Sequence, residues 1–215
     1  MMIKVVGFDL DNTLYNQELF EFEVFEKIAK QVEVDYRISS EKYLEALKKL
    51  YIKGDKENVF GKALKSLNVS QQNNWENYIK STLVPIYRNF LPTKLELFQN
   101  SLNYLNFFYK NGYKLALITN GREYTQNIKI DLLNIRNYFD IILISDEYAI
   151  SKRKPSTFMF SQILVKFDIK SDEMIYIGDD DVIDKSSEKI GIKFINIKDL
   201  DLKFFSEKSN QSIYD

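Results

Sequence analysis

The chain of 215 residues contains no cysteine and no histidine. Lacking cysteine, it has no disulfide, no thiolate metal site and no cysteine nucleophile. Lacking histidine, it has no Ser-His-Asp triad and no histidine-bound zinc, so acid–base work falls to carboxylates, lysine or tyrosine. Only 3 prolines occur, with no low-complexity tract and no internal repeat. Neither charge predominates: 30 basic and 31 acidic residues leave a net charge of −1. No global field therefore favours nucleic acid or an anionic membrane. No apolar run reaches the ~18 residues of a membrane span, and the opening residues lack the apolar core of a signal peptide. The expectation is a soluble cytoplasmic protein with no nucleic-acid or membrane partner and an oligomeric state that the pattern does not set. A chain of this length buries roughly 70% of its unfolded surface and needs no covalent staple.

What is present begins at the start. The run from Ile3 to Phe8 reads as a buried strand leading into Asp9-Leu10-Asp11-Asn12-Thr13. Alternation in extended backbone aims Asp9, Asp11 and Thr13 the same way. Two carboxylates on one side repel each other, and a cation or a proton-transfer task gives a reason for keeping them together. A plain surface turn is the competing reading, since Asp and Asn are common in turns.

Residues 16–88 then read as an all-helical insert. Glu18 to Val34 places Leu19, Phe22, Phe25, Ile28, Ala29 and Val32 at helical steps. A second helix opens at Ser39-Ser40 and stops near Gly54, and two more cover Asp55 to Leu67 and Ser70 to Tyr87. The aromatic and leucine stripes are read as core rather than as a binding box. From Pro92 the pattern alternates: a helix from Lys94 to Asn111 ending at Gly112, then strands at Tyr113 to Ile118, Ile141 to Ile144, Met174 to Ile177 and Lys193 to Ile197. Helices are expected at Glu123 to Leu133, Ser156 to Phe167 and from Asp184. Apolar strands alternating with helices predict an α/β fold, a parallel sheet covered on both faces, built from residues 1–15 and 89–215.

Ligands of such sheets bind beyond the carboxyl ends of the strands. Those ends carry Asp9, Asp11 and Thr13, then Thr119, Asn120 and Gly121, then Asp179, Asp180 and Asp181, with Lys152-Arg153-Lys154-Pro155 between. Carboxylate oxygens from Asp9 and Asp179 suit Mg2+ with a phosphate. The Thr119 hydroxyl and the Asn120 and Gly121 amides can cradle an anion, and Lys154 offers a point charge. Asp9 could attack phosphorus while Asp11 moves protons.

Asp9-Leu-Asp11-Asn-Thr13, Ile118-Thr119-Asn120-Gly121, Lys154-Pro155 and Ile177-Gly178-Asp179-Asp180, in this order, resemble the motifs of the haloacid dehalogenase-like superfamily. The insert resembles that family's alpha-helical C1 cap, and the core its Rossmann-like domain. Gln126, Lys129, Tyr138-Phe139-Asp140 and Ser145-Asp146-Glu147 place the chain nearest the small-metabolite phosphatases, including nucleotidase-like and acylneuraminate-9-phosphatase-like members. The resemblance implies Asp9 as nucleophile and magnesium ligand, and Asp11 as general acid/base with its carbonyl on the metal. It implies Thr119 and Lys154 on the phosphoryl group, and Asp179 as the last protein ligand of the metal. The implied partner is a small phosphorylated metabolite.

Two departures stand out. The loop before Lys154-Pro155 is longer than usual, with Ala149 in place of glycine, leaving Lys152 as a rival for the lysine role, though the following proline favours Lys154. After Asp179, Asp184 fits the second acidic position, with Asp180 or Asp181 as substitutes. Competing activities are a phosphomutase, a 2-haloacid dehalogenase (disfavoured by Asp11) and a non-enzymatic phosphoacceptor module (disfavoured by the insert and by the early position of Asp9).

Overall fold

The protein is described by a computed structural model over residues 2–68, 74–203 and 205. The chain divides into two compact units, Met1–Asn16 with Leu95–Asp215, and Gln17–Lys94.

The first unit is an α/β sheet. Strands β1 (Val5–Phe8), β2 (Lys114–Thr119), β3 (Ile141–Ile144), β4 (Met174–Gly178) and β5 (Lys193–Asn196) lie in the order β3-β2-β1-β4-β5. Every neighbouring pair is parallel. The β1, β2 and β4 strands are almost wholly buried, as nearly unbroken apolar runs require when helices flank a sheet. Met159, Phe160 and Ile163, from the helix Phe158–Phe167, pack with Val5, Ala116, Ile118, Met174 and Tyr176. The chain builds outward from β1 through β2 to β3, then returns to the other side of β1 with β4. This reversal puts the topological switch point between β1 and β4, the place where open α/β sheets bind ligands.

The second unit is helical: α1 (Gln17–Tyr36), α2 (Ser40–Ile52), α3 (Val59–Ser66), α4 (Trp75–Tyr78) and α5 (Val84–Arg88). Phe20, Val24, Phe25, Ile28, Ala29 and Val32 are buried on α1, and Tyr43 of α2 donates its hydroxyl to the Phe60 carbonyl at 3.1 Å. Leu19, expected on the inner stripe, is 61% exposed; it sits one position off the Phe20–Val24–Ile28 row. The expected single helix from Ser70 is divided. Residues 70–73 lie outside the described residues, and a π-helical turn, Ile79–Leu83, separates α4 from α5. Pro85 follows at once; it has no N–H to give the α-helical ladder and favours such an interruption.

The expected helix from Lys94 begins only at Ser101, as α6 (Ser101–Lys110). Leu97 instead bridges Tyr15, and the Phe98 N–H donates to the Leu14 carbonyl at 2.9 Å. Those contacts hold the returning chain extended beside the loop that follows β1. The helix expected from Asp184 is a 3-10 segment, Asp184–Ile190, and the other α-helices among the described residues of this unit are α7 (Glu123–Leu132) and α8 (Phe158–Phe167).

Candidate active site

Asp9 is the first residue past β1, and its N–H donates to the Ile177 carbonyl of β4 at 2.9 Å. It is thereby fixed at the switch point, where Asp179 leaves β4. Lys154 reaches the same place from the loop before α8. Its Nζ donates to Asp9 Oδ1 at 2.5 Å, Asp184 Oδ1 at 2.5 Å and the Tyr176 hydroxyl at 2.7 Å. These use all three ammonium protons. Tyr176 donates onward to the Ile118 carbonyl at 2.9 Å. Lys152, the rival lysine, holds its Nζ 4.6 Å above the Phe158 ring instead.

Asp184 completes the cluster. Its Oδ2 accepts the N–H groups of Asp179 and Asp180 at 3.1 and 3.2 Å. One oxygen each from Asp9, Asp179 and Asp184 lie within 4.8 Å of one another. Gly178 permits this: a Cβ there would stand 2.3 Å from Asp184 Oδ2. Asp180 spends its carboxylate on the Val182 and Ile183 N–H groups, and Asp181 accepts from Asn196.

Asp11 faces a second set of donors. Lys129 Nζ donates to its Oδ1 at 2.7 Å and Gln126 Nε2 to its Oδ2 at 2.8 Å, while the Tyr15 hydroxyl also donates to Oδ1. Gln126 and Lys129, three positions apart on α7, point to one side of the helix. Thr119, fully buried, accepts a second hydrogen bond from Gln126 Nε2 at 2.6 Å.

At the expected anion cradle, the Asn120 side chain and the Gly121 N–H are engaged within the protein. The Asn120 side chain accepts from the Lys154 N–H at 2.7 Å and donates to the Lys154 carbonyl at 2.8 Å. It clamps the lysine loop to the end of β2. The Gly121 N–H donates to Ser145 Oγ at 3.0 Å, which withdraws it from the cradle because its single proton is taken.

Burial pushes the Asp9 carboxyl up to about 8; Lys154 opposes the rise, and Asp184 and Asp11 add to it. Burial, then Asp184 and Asp180, push Asp179 up to about 6 against the pull of Lys154. Burial acts to lower the Lys154 ammonium, but Asp9 and Asp184 outweigh it and hold it above its ordinary value. Asp11 goes the other way: burial raises it, but the charge of Lys129 and the bonds from Lys129, Tyr15 and Gln126 bring it below the usual carboxylate value.

The donor set fits a hard divalent cation. It offers carboxylate oxygens and no soft ligand. When Asp9, Asp11, Asp179 and Asp184 are all ionised, they exceed the charges of Lys129 and Lys154 by two. Burial first, and then the neighbouring carboxylates, raise Asp9 and Asp179 against the pull of Lys154.

Tyr15, Tyr176, Asp184's bond to Lys154 and the α7 pair are parts of this arrangement that pattern reasoning does not assign. Tyr176 sits inside an apolar strand and Lys129 inside a helix, where spacing reads only as core or surface. The one available signal for Gln126 and Lys129 is their place in the family resemblance.

A sequence profile described as haloacid dehalogenase-like hydrolase matches residues 6–197. The glyceraldehyde 3-phosphate phosphatase of Methanocaldococcus jannaschii is 30% identical over 179 residues, covering 83% of this chain and 77% of that protein. The protein of the same name from Pyrococcus furiosus is 27% identical over 213 residues, covering 94% and 85%. Among solved structures, a HAD phosphatase from Thermococcus onnurineus superposes with a TM-score of 0.62 at 19% identity, covering 89% of this chain and 85% of that one. This last likeness speaks for the fold alone.

Proposed function

The chain belongs to the haloacid dehalogenase-like hydrolases, and from that membership we propose that it is a magnesium-dependent phosphatase acting on a small phosphorylated metabolite. The observation that carries this reading is Lys154 bound to Asp9 beside the oxygens of Asp179 and Asp184, at the switch point of the sheet.

In this reading Asp9 is the nucleophile. One of its carboxylate oxygens attacks phosphorus, and the bond from phosphorus to the substrate's ester oxygen breaks. Asp11 gives a proton to that leaving oxygen, then takes one from the water that attacks the aspartyl-phosphate. Inorganic phosphate leaves and the Asp9 carboxylate is regenerated. The partners of Asp11 favour its ionised form, which is the form the second half-reaction uses; the proton it gives in the first half-reaction is taken up from solvent as substrate binds and is replaced by the one it takes from water. The Thr119 hydroxyl and the Lys154 charge hold the phosphoryl oxygens. Asp9, Asp179 and the Asp11 carbonyl, with Asp184 behind them, would hold magnesium, which when bound would supply positive charge to the phosphoryl group. The helical insert, read as the cap, carries discrimination among substrates.

The named relatives make glyceraldehyde 3-phosphate the first substrate to test. The experiment is a phosphate-release screen with magnesium over that compound, other sugar phosphates, nucleotides and short phosphorylated acids. Turnover of a short phosphorylated sugar or aldehyde, lost in Asp9→Asn, is the expected result. Equal release by the wild type and Asp9→Asn across the panel would sink the reading.

A further inference from the structure

Gln126 is 2% exposed and is assigned no part in the reaction described above. Its Nε2 lies 2.6 Å from Thr119 Oγ1 and 2.8 Å from Asp11 Oδ2. One amide nitrogen therefore spans the hydroxyl that meets the phosphoryl group and the carboxylate that moves protons. An amide nitrogen carries two protons and no accepting lone pair, so each contact uses one of them. The amide nitrogen, rather than the amide oxygen, faces both partners.

The consequence falls on Thr119. Because Thr119 Oγ1 accepts from Gln126, its own proton must be donated elsewhere. We propose that Gln126 is a positioning residue that turns the Thr119 hydroxyl proton toward the phosphoryl group and ties that hydroxyl to Asp11. This deepens the phosphatase reading and rests on it. Gln126 touches neither substrate nor metal in this proposal; it acts through Thr119 and Asp11.

The loop before α7 is shaped around this side chain. Gly121 has φ +145°, and a Cβ added there would stand 2.9 Å from Gln126 Cδ and 3.0 Å from its Cγ. A side chain at position 121 would therefore push Gln126 out of its place between Thr119 and Asp11. The Gly121 N–H is itself held by Ser145, so the glycine supplies room for Gln126 rather than an amide for the anion.

The inference is tested by substitution of both partners. Gln126→Glu keeps the size but replaces the donating nitrogen by an acceptor. That acceptor captures the Thr119 proton and repels Asp11. Gln126→Met removes the donors without adding charge, and Thr119→Val removes the hydroxyl. The probes are hydrolysis of p-nitrophenyl phosphate and its inhibition by inorganic phosphate, both with magnesium.

Thr119→Val and Gln126→Glu are each expected to weaken phosphate inhibition by on the order of tenfold, the worth of a hydrogen bond to a charged group. Gln126→Glu is expected to lose more than Gln126→Met. Since both act through one hydroxyl proton, the double variant should bind phosphate within about threefold of the worse single variant. Losses that multiply in the double variant overturn the proposal, as does unchanged phosphate inhibition in Gln126→Glu. Should Gln126→Glu fail to fold by thermal melting, the cycle of Gln126→Met with Thr119→Val makes the same decision. A wild-type protein without turnover or phosphate binding overturns the phosphatase reading and this inference together. Multiplying losses in a working enzyme overturn this inference alone.

Discussion

Lys129 Nζ stands 2.7 Å from Asp11 Oδ1, and the lysine side chain is only 4% exposed. A buried ammonium is tolerated when its partner is ionised and close, and removing one member leaves the other without compensation. Asp11 retains 17% exposure, and Tyr15 and Gln126 still donate to it, so the full penalty of an isolated buried charge does not apply. Lys129→Met is expected to destabilise the protein by roughly 1–3 kcal/mol. Urea unfolding with the magnesium-free protein measures it, and an unchanged midpoint would contradict the pair's structural weight. Lys129→Arg keeps the charge and is expected to recover part of the loss.

Asp9 and Asp11 are expected to separate kinetically. Asp9→Asn removes the attacking carboxylate, and turnover should vanish. Asp11→Asn leaves the attack intact and removes proton transfer, which slows the cycle by on the order of 10²-fold or more. With p-nitrophenyl phosphate, a leaving group that needs little protonation, Asp11→Asn should still capture the phosphoryl group. Rapid-quench trapping of phosphorylated protein distinguishes the two, and equal undiminished rates in both variants would refute the division of labour.

How far these groups could be read from the sequence depends on what surrounds each of them. The parallel sheet was legible because each strand is a short apolar run closed by polar residues, a pattern that flanking helices impose on buried strands. The same rule brought Asp9, Thr119 and Asp179 into view, since the strand ends are where α/β folds place ligands. Lys154 and Lys152 could not be separated by spacing, because a loop's path is set by tertiary contacts such as the Asn120 clamp on the Lys154 backbone. Asp184 fits the second acidic position in sequence, with Asp180 or Asp181 as rivals, and the turn after β4 shows that Asp180 caps that turn while Asp184 folds back to Lys154. Helical periodicity misplaced Leu19 and extended a helix through residues 94–100, where pairing with Tyr15 and Leu14 outweighs propensity. Tyr15, Tyr176 and Lys129 are polar groups in apolar company, and a one-dimensional pattern does not reveal their partners.

Gly178 gives a structural test of the acidic cluster. A Cβ at this position would stand 2.3, 2.5 and 2.7 Å from Asp184 Oδ2, Cγ and Cβ. All three of the nearest atoms belong to the Asp184 side chain, so Asp184 must move. Gly178→Ala is then expected to release the Asp179 and Asp180 N–H groups from Asp184 Oδ2 and to loosen Asp184's hold on Lys154. Magnesium affinity, measured by calorimetry, should fall on the order of 10-fold or more, as loss of an outer partner does at other metal sites. Undiminished affinity would mean that Asp184 has no part in holding the ion.

The pH dependence follows from the carboxylates that burial raises. Asp9 is pushed up to about 8 and Asp179 to about 6, first by burial in both cases, against an ordinary aspartate value of 3.8 in the unfolded chain. Between about pH 4 and 8 the native, metal-free protein therefore binds more protons than the unfolded chain. Stability changes with pH in proportion to the protons bound unfolded minus those bound native, so it falls as pH rises through this window. The lowered carboxylates Asp11, Asp140 and Asp146 act oppositely, but their contribution is complete once the pH exceeds the ordinary carboxylate range. Metal-free protein is thus expected to melt at a lower temperature at pH 8 than at pH 5.5. Magnesium requires the ionised carboxylates, so its binding should release protons and strengthen as pH rises from 6 to 8. Calorimetry in buffers of different ionisation enthalpy counts the released protons. Magnesium should then raise the melting temperature more at pH 8 than at pH 5.5, and EDTA should abolish both the gain and the turnover. A metal-free protein that melts higher at pH 8 would contradict the raised Asp9 and Asp179 carboxyls, and full turnover in excess EDTA would sink the metal assignment.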